Sequence, residues 1–143
     1  MSTGRFHNQT VLITGASRGI GAAIAKAFAA EGACVLVNYL SNENAANGVI
    51  SECEKLGGTA LLLQADVRDP SAAQDMVAQA MREVGRIDIL VNNAFSPYAF
   101  DPENRKRFWE TPWIDYQTQF DGAVRANYNV CQSVIPNMRQ RAK

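Results

Sequence analysis

Apolar residues in this chain alternate between two spacings. Short unbroken apolar runs predict strands near 10–14, 34–38, 59–65 and 88–91. Between and after them, apolar residues recur at three- and four-residue intervals, as at Ile20, Ile24, Ala27 and Phe28, and predict helices near 19–31, 42–56, 71–84 and 112–139. The runs Cys-Val-Leu-Val-Asn and Ala-Leu-Leu-Leu-Gln are apolar throughout, as in strands covered by helices on both faces. Gly32, Gly57-Gly58 and Gly85 each follow a helix, where a left-handed residue ends the last turn. Pro70-Ser71 and Thr111-Pro112 mark helix starts, with Thr111 as N-cap and Pro112 at the first helical position. Strands alternating with helices predict an α/β fold: a doubly wound parallel sheet in three layers, strand order 3-2-1-4, with right-handed crossovers. Ligands of such sheets lie at the carboxyl ends of the strands, near the switch between strands 1 and 4.

Four polar or glycine-rich elements fall on that rim. Thr14-Gly15-Ala16-Ser17-Arg18-Gly19-Ile20-Gly21 ends strand 1 and opens a helix. Strand, glycine turn and helix are the context that gives a dinucleotide fingerprint its meaning, and they make the sheet one of Rossmann type. Gly15 permits the tight turn, Gly19 lets backbone N–H groups approach a pyrophosphate, and Gly21 allows close helix–strand packing. The N–H groups freed at the helix start, around Ser17, Arg18 and Ile20, favour an anion. Asn38-Tyr39 ends strand 2, Asp66-Val67 ends strand 3 and Asn92-Asn93 ends strand 4.

The spacing Thr-Gly-x-x-x-Gly-x-Gly, with Asp66-Val67 and Asn92-Asn93-Ala94, resembles the short-chain dehydrogenase/reductase family. Within it the chain resembles members of the 3-oxoacyl-carrier-protein reductase type. The resemblance runs over nearly all 143 residues and corresponds to the N-terminal, cofactor-binding part of that family's domain. It implies an oxidoreductase that moves a hydride between a nicotinamide and a carbonyl or alcohol substrate.

Strand 2 is followed by no acid until Glu43, so nothing there would repel a 2′-phosphate. Arg18 stands where the resemblance places the basic residue of NADP-preferring members, and a guanidinium's paired donors suit phosphate. NADP is therefore the expected cofactor over NAD, with Asn38, Tyr39 and Ser41 beside the ribose; Arg18 as a solvated turn residue is the alternative. The resemblance gives Asp66 and the Val67 backbone to the adenine edge, against a capping or turn-closing role for Asp66. It sets Asn93 and Ala94 beside the cofactor ribose. Phe95 stands where the family has glycine, so the loop either takes another path or Phe95 covers part of the nicotinamide side.

The family's proton donor is a Tyr with a Lys four residues later. Tyr39, Tyr98, Tyr116 and Tyr128 are followed at that place by Glu43, Pro102, Phe120 and Gln132. No catalytic residue is assigned, and the resemblance puts the family's Ser and Tyr beyond Lys143. Ala123 occupies the place of the family's helix Asn. Asn127 lies one turn further, roughly 6 Å along the axis. Residues 95–112 are aromatic and proline-marked. Tyr98, Phe100, Phe108 and Trp109 either wall a substrate pocket or form a plug on the last helix, and Arg105-Lys106-Arg107 either attracts an acidic substrate or is a solvated turn.

Composition changes this picture little. Hydrophobic residues make up 47%, charged residues 20%, and the formal net charge is zero. Nothing in that balance calls for nucleic acid or a membrane surface as partner. Met1–His7 lacks the apolar core of a signal peptide. Cys34, Cys53 and Cys131 have no metal-ligand spacing and read as reduced thiols of a cytoplasmic protein, with no metal site. The expected activity is that of an NADP(H)-dependent oxidoreductase of which residues 1–143 are the dinucleotide-binding domain; a non-catalytic dinucleotide-binding module and a truncated, oligomerising fragment are the alternatives. The family topology pairs strand 4 with a fifth strand. Without it the edge Asp88–Val91 and the helix residues Val130, Val134 and Ile135 lie open, so the chain is expected to self-associate or be completed by further residues.

Overall fold

The computed structural model describes residues 4–142. The leader reading rests in part on Met1–Thr3, which together with Lys143 lie outside the described residues.

Four parallel strands form one sheet in the order β3-β2-β1-β4. They are β1 (Thr10–Ile13), β2 (Cys34–Tyr39), β3 (Thr59–Gln64) and β4 (Ile89–Val91). The helices are α1 (Gly19–Ala30), α2 (Glu43–Lys55), α3 (Pro70–Val84), α4 (Trp113–Phe120) and α5 (Ala126–Arg141). Successive strand residues face opposite sides and both sides are covered. Val11, Ile13, Val35 and Val37 pack with Ala22, Ala25 and Ala29 of α1 and Ala46, Val49 and Cys53 of α2. Leu12, Leu36 and Leu63 pack with Ala73, Met76 and Val77 of α3 and Ala126, Val130 and Val134 of α5. The three layers and the strand order are those the sequence predicts. No helix among the described residues is long and apolar enough to cross a membrane.

Gly32, Gly57 and Gly85 have φ of 84°, 93° and 75°, the left-handed helix ends expected of them. Asp69, with Pro70 beginning the helix, caps α3 by accepting the Ser71 and Ala72 N–H groups.

The last helix departs from expectation. Residues 112–139 are not one α-helix: α4 and α5 are joined by a π-helical turn, Asp121–Arg125. Gly122 in that turn adds little intrinsic helix stability. Thr111 is not the N-cap, because Pro112 holds that position and the Thr111 hydroxyl donates instead to the Arg107 carbonyl. Pro136 lies inside α5 and offers no N–H to the turn before it. Val130 and Val134 are fully buried against α3 and the sheet rather than open, whereas Ile135 is exposed.

At the amino end of the sheet Asp88 gathers α5, β1 and β4. Its carboxylate accepts the Thr10 N–H (2.8 Å) and lies against Arg86 (2.6 Å) and Arg141 (2.7 Å). Arg141 also donates to the Ile87 carbonyl.

Candidate cofactor-binding site

The rim is built by backbone groups that glycines and a few buried side chains hold in place. Gly15 turns the chain at the end of β1 with φ 62° and donates its N–H to Asn38 Oδ1 at 3.0 Å. Ala16 donates to the Asn38 carbonyl at 2.8 Å. Asn38 Nδ2 donates to the carbonyls of Leu63 (3.1 Å) and Ala65 (3.2 Å). One side chain thus ties β1, β2 and β3 together at their carboxyl ends.

Asn38 was expected to hydrogen-bond a ligand's ribose phosphate. In the structure its side chain is buried and its amide bonds to protein groups, so it supports the glycine turn from below. The Tyr39 side chain is likewise buried, in the α1–α2 core, and does not reach the rim. Beyond it the chain surfaces, and Ser41 is exposed.

Gly19 begins α1 with φ 57°, and a Cβ placed on it would meet nothing within 4 Å. Its outer face is open, as the approach of a phosphate requires. Arg18 is extended and exposed, its side chain caps nothing, and it has no ion-pair partner among the described residues. Ser17 is half-buried beside it and Ile20 is 74% exposed. No acidic residue lies in the first turn of α1. Free N–H groups, a nearby guanidinium and the positive end of the helix dipole together make a site for an anion. The pyrophosphate of a dinucleotide fits it in charge and in space.

Gly21 serves packing. A Cβ there would stand 2.6 Å from Gly15 O, 2.6 Å from Asn93 Nδ2 and 2.9 Å from Ala16 Cα. Asn93 donates through Nδ2 to the carbonyls of Thr14 (3.0 Å) and Gly15 (3.1 Å). The Asn93 and Ala94 N–H groups both donate to Thr14 Oγ1, at 2.9 and 3.0 Å. The Asn93 amide therefore turns inward and braces the glycine turn. Thr14, the first residue of the Thr-Gly-x-x-x-Gly-x-Gly run, carries the junction between β1 and the β4 loop.

Asp66 does not cap α3, a task Asp69 performs. Its carboxylate takes Arg68 in a two-pronged pair at 2.8 and 2.6 Å and also accepts the Arg68 N–H. The Arg68 side chain's hydrogen bonds hold the Asp66 carboxyl below its usual range. Val67 is buried, and its carbonyl accepts from Asn129 Nδ2 of α5. Asn129 escapes a reading from the sequence, because a buried amide in an apolar helix stripe gives no motif.

Beyond Ala94 the rim becomes aromatic. Phe95 is 71% exposed, and Ser96 beneath it is buried. The rings of Tyr98, Phe100, Phe108 and Trp109 are exposed, with Phe108 lying 6.3 Å from the Tyr116 ring of α4. Arg105 stacks over Phe100 at 5.3 Å and Arg107 over Trp109 at 5.5 Å, while Lys106 pairs with Asp115 at 2.8 Å. Ala123 is exposed in the π-helical turn, and Asn127 is half-buried one turn on.

A family model described as short chain dehydrogenase matches residues 9–143. The 3-oxoacyl-(acyl-carrier-protein) reductase of Staphylococcus epidermidis is 35% identical over 137 residues, which cover 94% of this chain and 53% of that protein. The L-rhamnose 1-dehydrogenase (NAD(P)(+)) of a Sphingomonas species is 45% identical over 86 residues, 60% of this chain and 34% of that one. Among solved structures, a hydroxysteroid dehydrogenase from Escherichia coli matches with a TM-score of 0.83 at 33% identity, covering 96% of this chain and 55% of its own. The chain spans about half the length, or less, of these relatives.

Proposed function

The chain belongs to the short-chain dehydrogenase family, and from that premise we propose that it is the NADP(H)-binding portion of an oxidoreductase acting on a small carbonyl or alcohol. The observation that carries the cofactor choice is Arg18. It stands exposed and unpaired among the described residues at the open start of α1, and no acid follows β2 before Glu43. In this reading the N–H groups around Gly19 and Ile20 hold the pyrophosphate, and Arg18 with Ser41 holds the 2′-phosphate. Asp66 and the Val67 backbone border the adenine, and Asn93 and Ala94 line the ribose beyond β1. The nicotinamide supplies the hydride acceptor or donor. This chain's residues bind and orient it, and Phe95 with the aromatic 95–112 loop forms the apolar wall that keeps water from its face. The three free cysteines agree with a cytoplasmic setting.

Charge-assisted hydrogen bonds are each worth about 1.5–3 kcal/mol, so Arg18 should favour NADP over NAD by about ten- to a hundredfold. Calorimetric titration tests this: Arg18→Ala should remove most of the preference. Equal affinity of the parent chain for the two dinucleotides would overturn the assignment. Among the described residues β4 pairs only with β1. We propose that its outer edge is closed by further chain or by a second copy, which sedimentation over a concentration series reads directly. A monomer at every concentration would count against the second copy.

A further inference from the structure

Besides the weak contact in which Asn92 Nδ2 donates to Cys131 Sγ of α5 at 3.4 Å, the helical run from α4 through α5 touches the rim at two further points, and neither belongs to the cofactor-facing surface itself. The first is Gly122, in the π-helical turn. A Cβ there would stand 2.0 Å from Ser96 Oγ, 2.4 Å from Ser96 Cβ and 2.6 Å from Ser96 N. Ser96 is 7% exposed, and its hydroxyl has no hydrogen-bond partner among the described residues. Shape rather than polarity therefore seats it. The loop leaving β4 sits in a notch that only a glycine leaves open, directly after Asn92–Phe95. The second point is Asn129, buried in α5, whose Nδ2 donates to the Val67 carbonyl at 3.1 Å and the Arg68 carbonyl at 3.0 Å. It grips the loop leaving β3. In the order β3-β2-β1-β4 these loops stand at opposite ends of the rim.

We infer that this helical run positions both halves of the dinucleotide separately: Asn129 fixes the adenine-side loop Asp66–Arg68, and the Gly122–Ser96 contact fixes the nicotinamide-side loop Asn92–Ser96. The inference rests on the dinucleotide reading above. Ribose recognition after β2 puts the adenine half on the β2–β3 side, and the rest of the molecule crosses β1 toward β4. π-Helical turns are short and frequent at functional sites. This one sets the notch at the height of the β4 loop, while α5 resumes in time to bring Asn129 under the β3 loop.

Neither Asn129 nor Gly122 is placed against the ligand, so each acts as a positioning residue and the test must separate the two halves of the cofactor. The probes are NADPH, which spans the whole rim, and adenosine 2′,5′-bisphosphate, which occupies the adenine side alone. Both are titrated calorimetrically into the parent chain and its variants, with circular dichroism confirming the fold of each. Gly122→Ala should weaken NADPH by about tenfold or more, the equivalent of roughly one misplaced hydrogen bond, while bisphosphate binding changes by less than about twofold. Ser96→Thr adds one methyl group to the same notch and should show the same split, and it decides the matter if Gly122→Ala does not fold. Asn129→Leu keeps the volume but loses the donor, and should weaken both probes by about fivefold or more; Asn129→Ser serves if the leucine variant does not fold. Equal weakening of both probes by the Gly122 and Ser96 variants would overturn the nicotinamide-side assignment. Unchanged bisphosphate binding in the Asn129 variants would overturn the adenine-side one. A parent chain that binds neither probe would remove the dinucleotide reading itself, whereas a parent that binds both, with no split in the Gly122 and Ser96 variants and no weakening in the Asn129 variants, would remove only the positioning roles.

Discussion

Gly21→Ala sets two ordinary expectations against each other, and the structure decides the sign. Gly21 lies in the first turn of α1, where exchanging glycine for alanine ordinarily stabilises a helix by about 1 kcal/mol. Here the added Cβ would stand 2.6 Å from Gly15 O and from Asn93 Nδ2, well inside the 3.4 Å at which ordinary contact begins. Gly15 O is backbone in the turn itself and cannot step aside without moving the glycine turn. Overpacking of this kind costs about 1–3 kcal/mol. Displacing the Asn93 amide also loses its bonds to Thr14 and Gly15, at about 1 kcal/mol each. The net expectation is a loss of about 2–4 kcal/mol after the helix gain is deducted, and dinucleotide affinity falls with it. Gly48→Ala is the matched control. Gly48 sits inside α2, and a Cβ there would meet nothing within 4 Å. That substitution should raise stability by about 0.5–1 kcal/mol. Urea unfolding of the parent and both variants, read by circular dichroism, measures the two signs. If Gly21→Ala stabilises the chain as Gly48→Ala does, the close packing of α1 on the glycine turn is refuted.

Other consequences follow from groups at the two ends of the sheet. Burial would raise the Asp88 pKa, but the Arg86 side chain, the Thr10 N–H and Arg141 outweigh it and bring it from 3.8 down to about 2. Because the folded value is the lower one, this stabilisation, about 2 kcal/mol, is complete above pH 4 and is lost as pH falls toward 2. Asp88→Asn should remove it and flatten the stability profile between those values in urea titrations. An unchanged slope would show that Asp88 is not the group responsible. Thr14→Val leaves the Asn93 and Ala94 N–H groups without their acceptor and should cost about 2–4 kcal/mol, whereas Thr14→Ser should cost under about 1 kcal/mol. Equal losses in the two variants would mean that the methyl group rather than the hydroxyl holds the junction.

How much of this was legible in the sequence depends on whether a residue's role is local or made by distant contact. The glycines could be read because backbone conformation is a local property. Gly15 and Gly19 lie at positive φ, and Gly32, Gly57 and Gly85 end helices in the same way, as their places between apolar runs imply. The sheet order could be read because strands covered on both faces allow few topologies. Asn38 and Tyr39 could not, since nothing local tells an amide aimed at a ligand from one aimed at the Leu63 and Ala65 carbonyls some 25 residues away. The same holds for Thr14, Asn129 and Ser96, whose partners lie on other strands and loops.

The split has a functional consequence. Of the residues that the glycine motif reveals, those around Gly19 are the ones proposed to offer backbone N–H groups to a ligand, and almost any sequence can supply that chemistry. Where that backbone stands is determined by residues whose bracing contacts no motif discloses. Thr14 and Asn93 join the glycine turn to the β4 loop, Asn38 joins it to β2 and β3, and Asn129 and Gly122 hold the outer loops from behind. Each of these five is at least partly buried. A displacement of about 1 Å in any of them moves a rim segment while every glycine of the fingerprint stays in place. Loss of binding in this fold is therefore as readily caused from beneath the rim as on it, and a chain that keeps every glycine of the fingerprint can still fail to bind if the buried amides are exchanged for apolar groups of the same size.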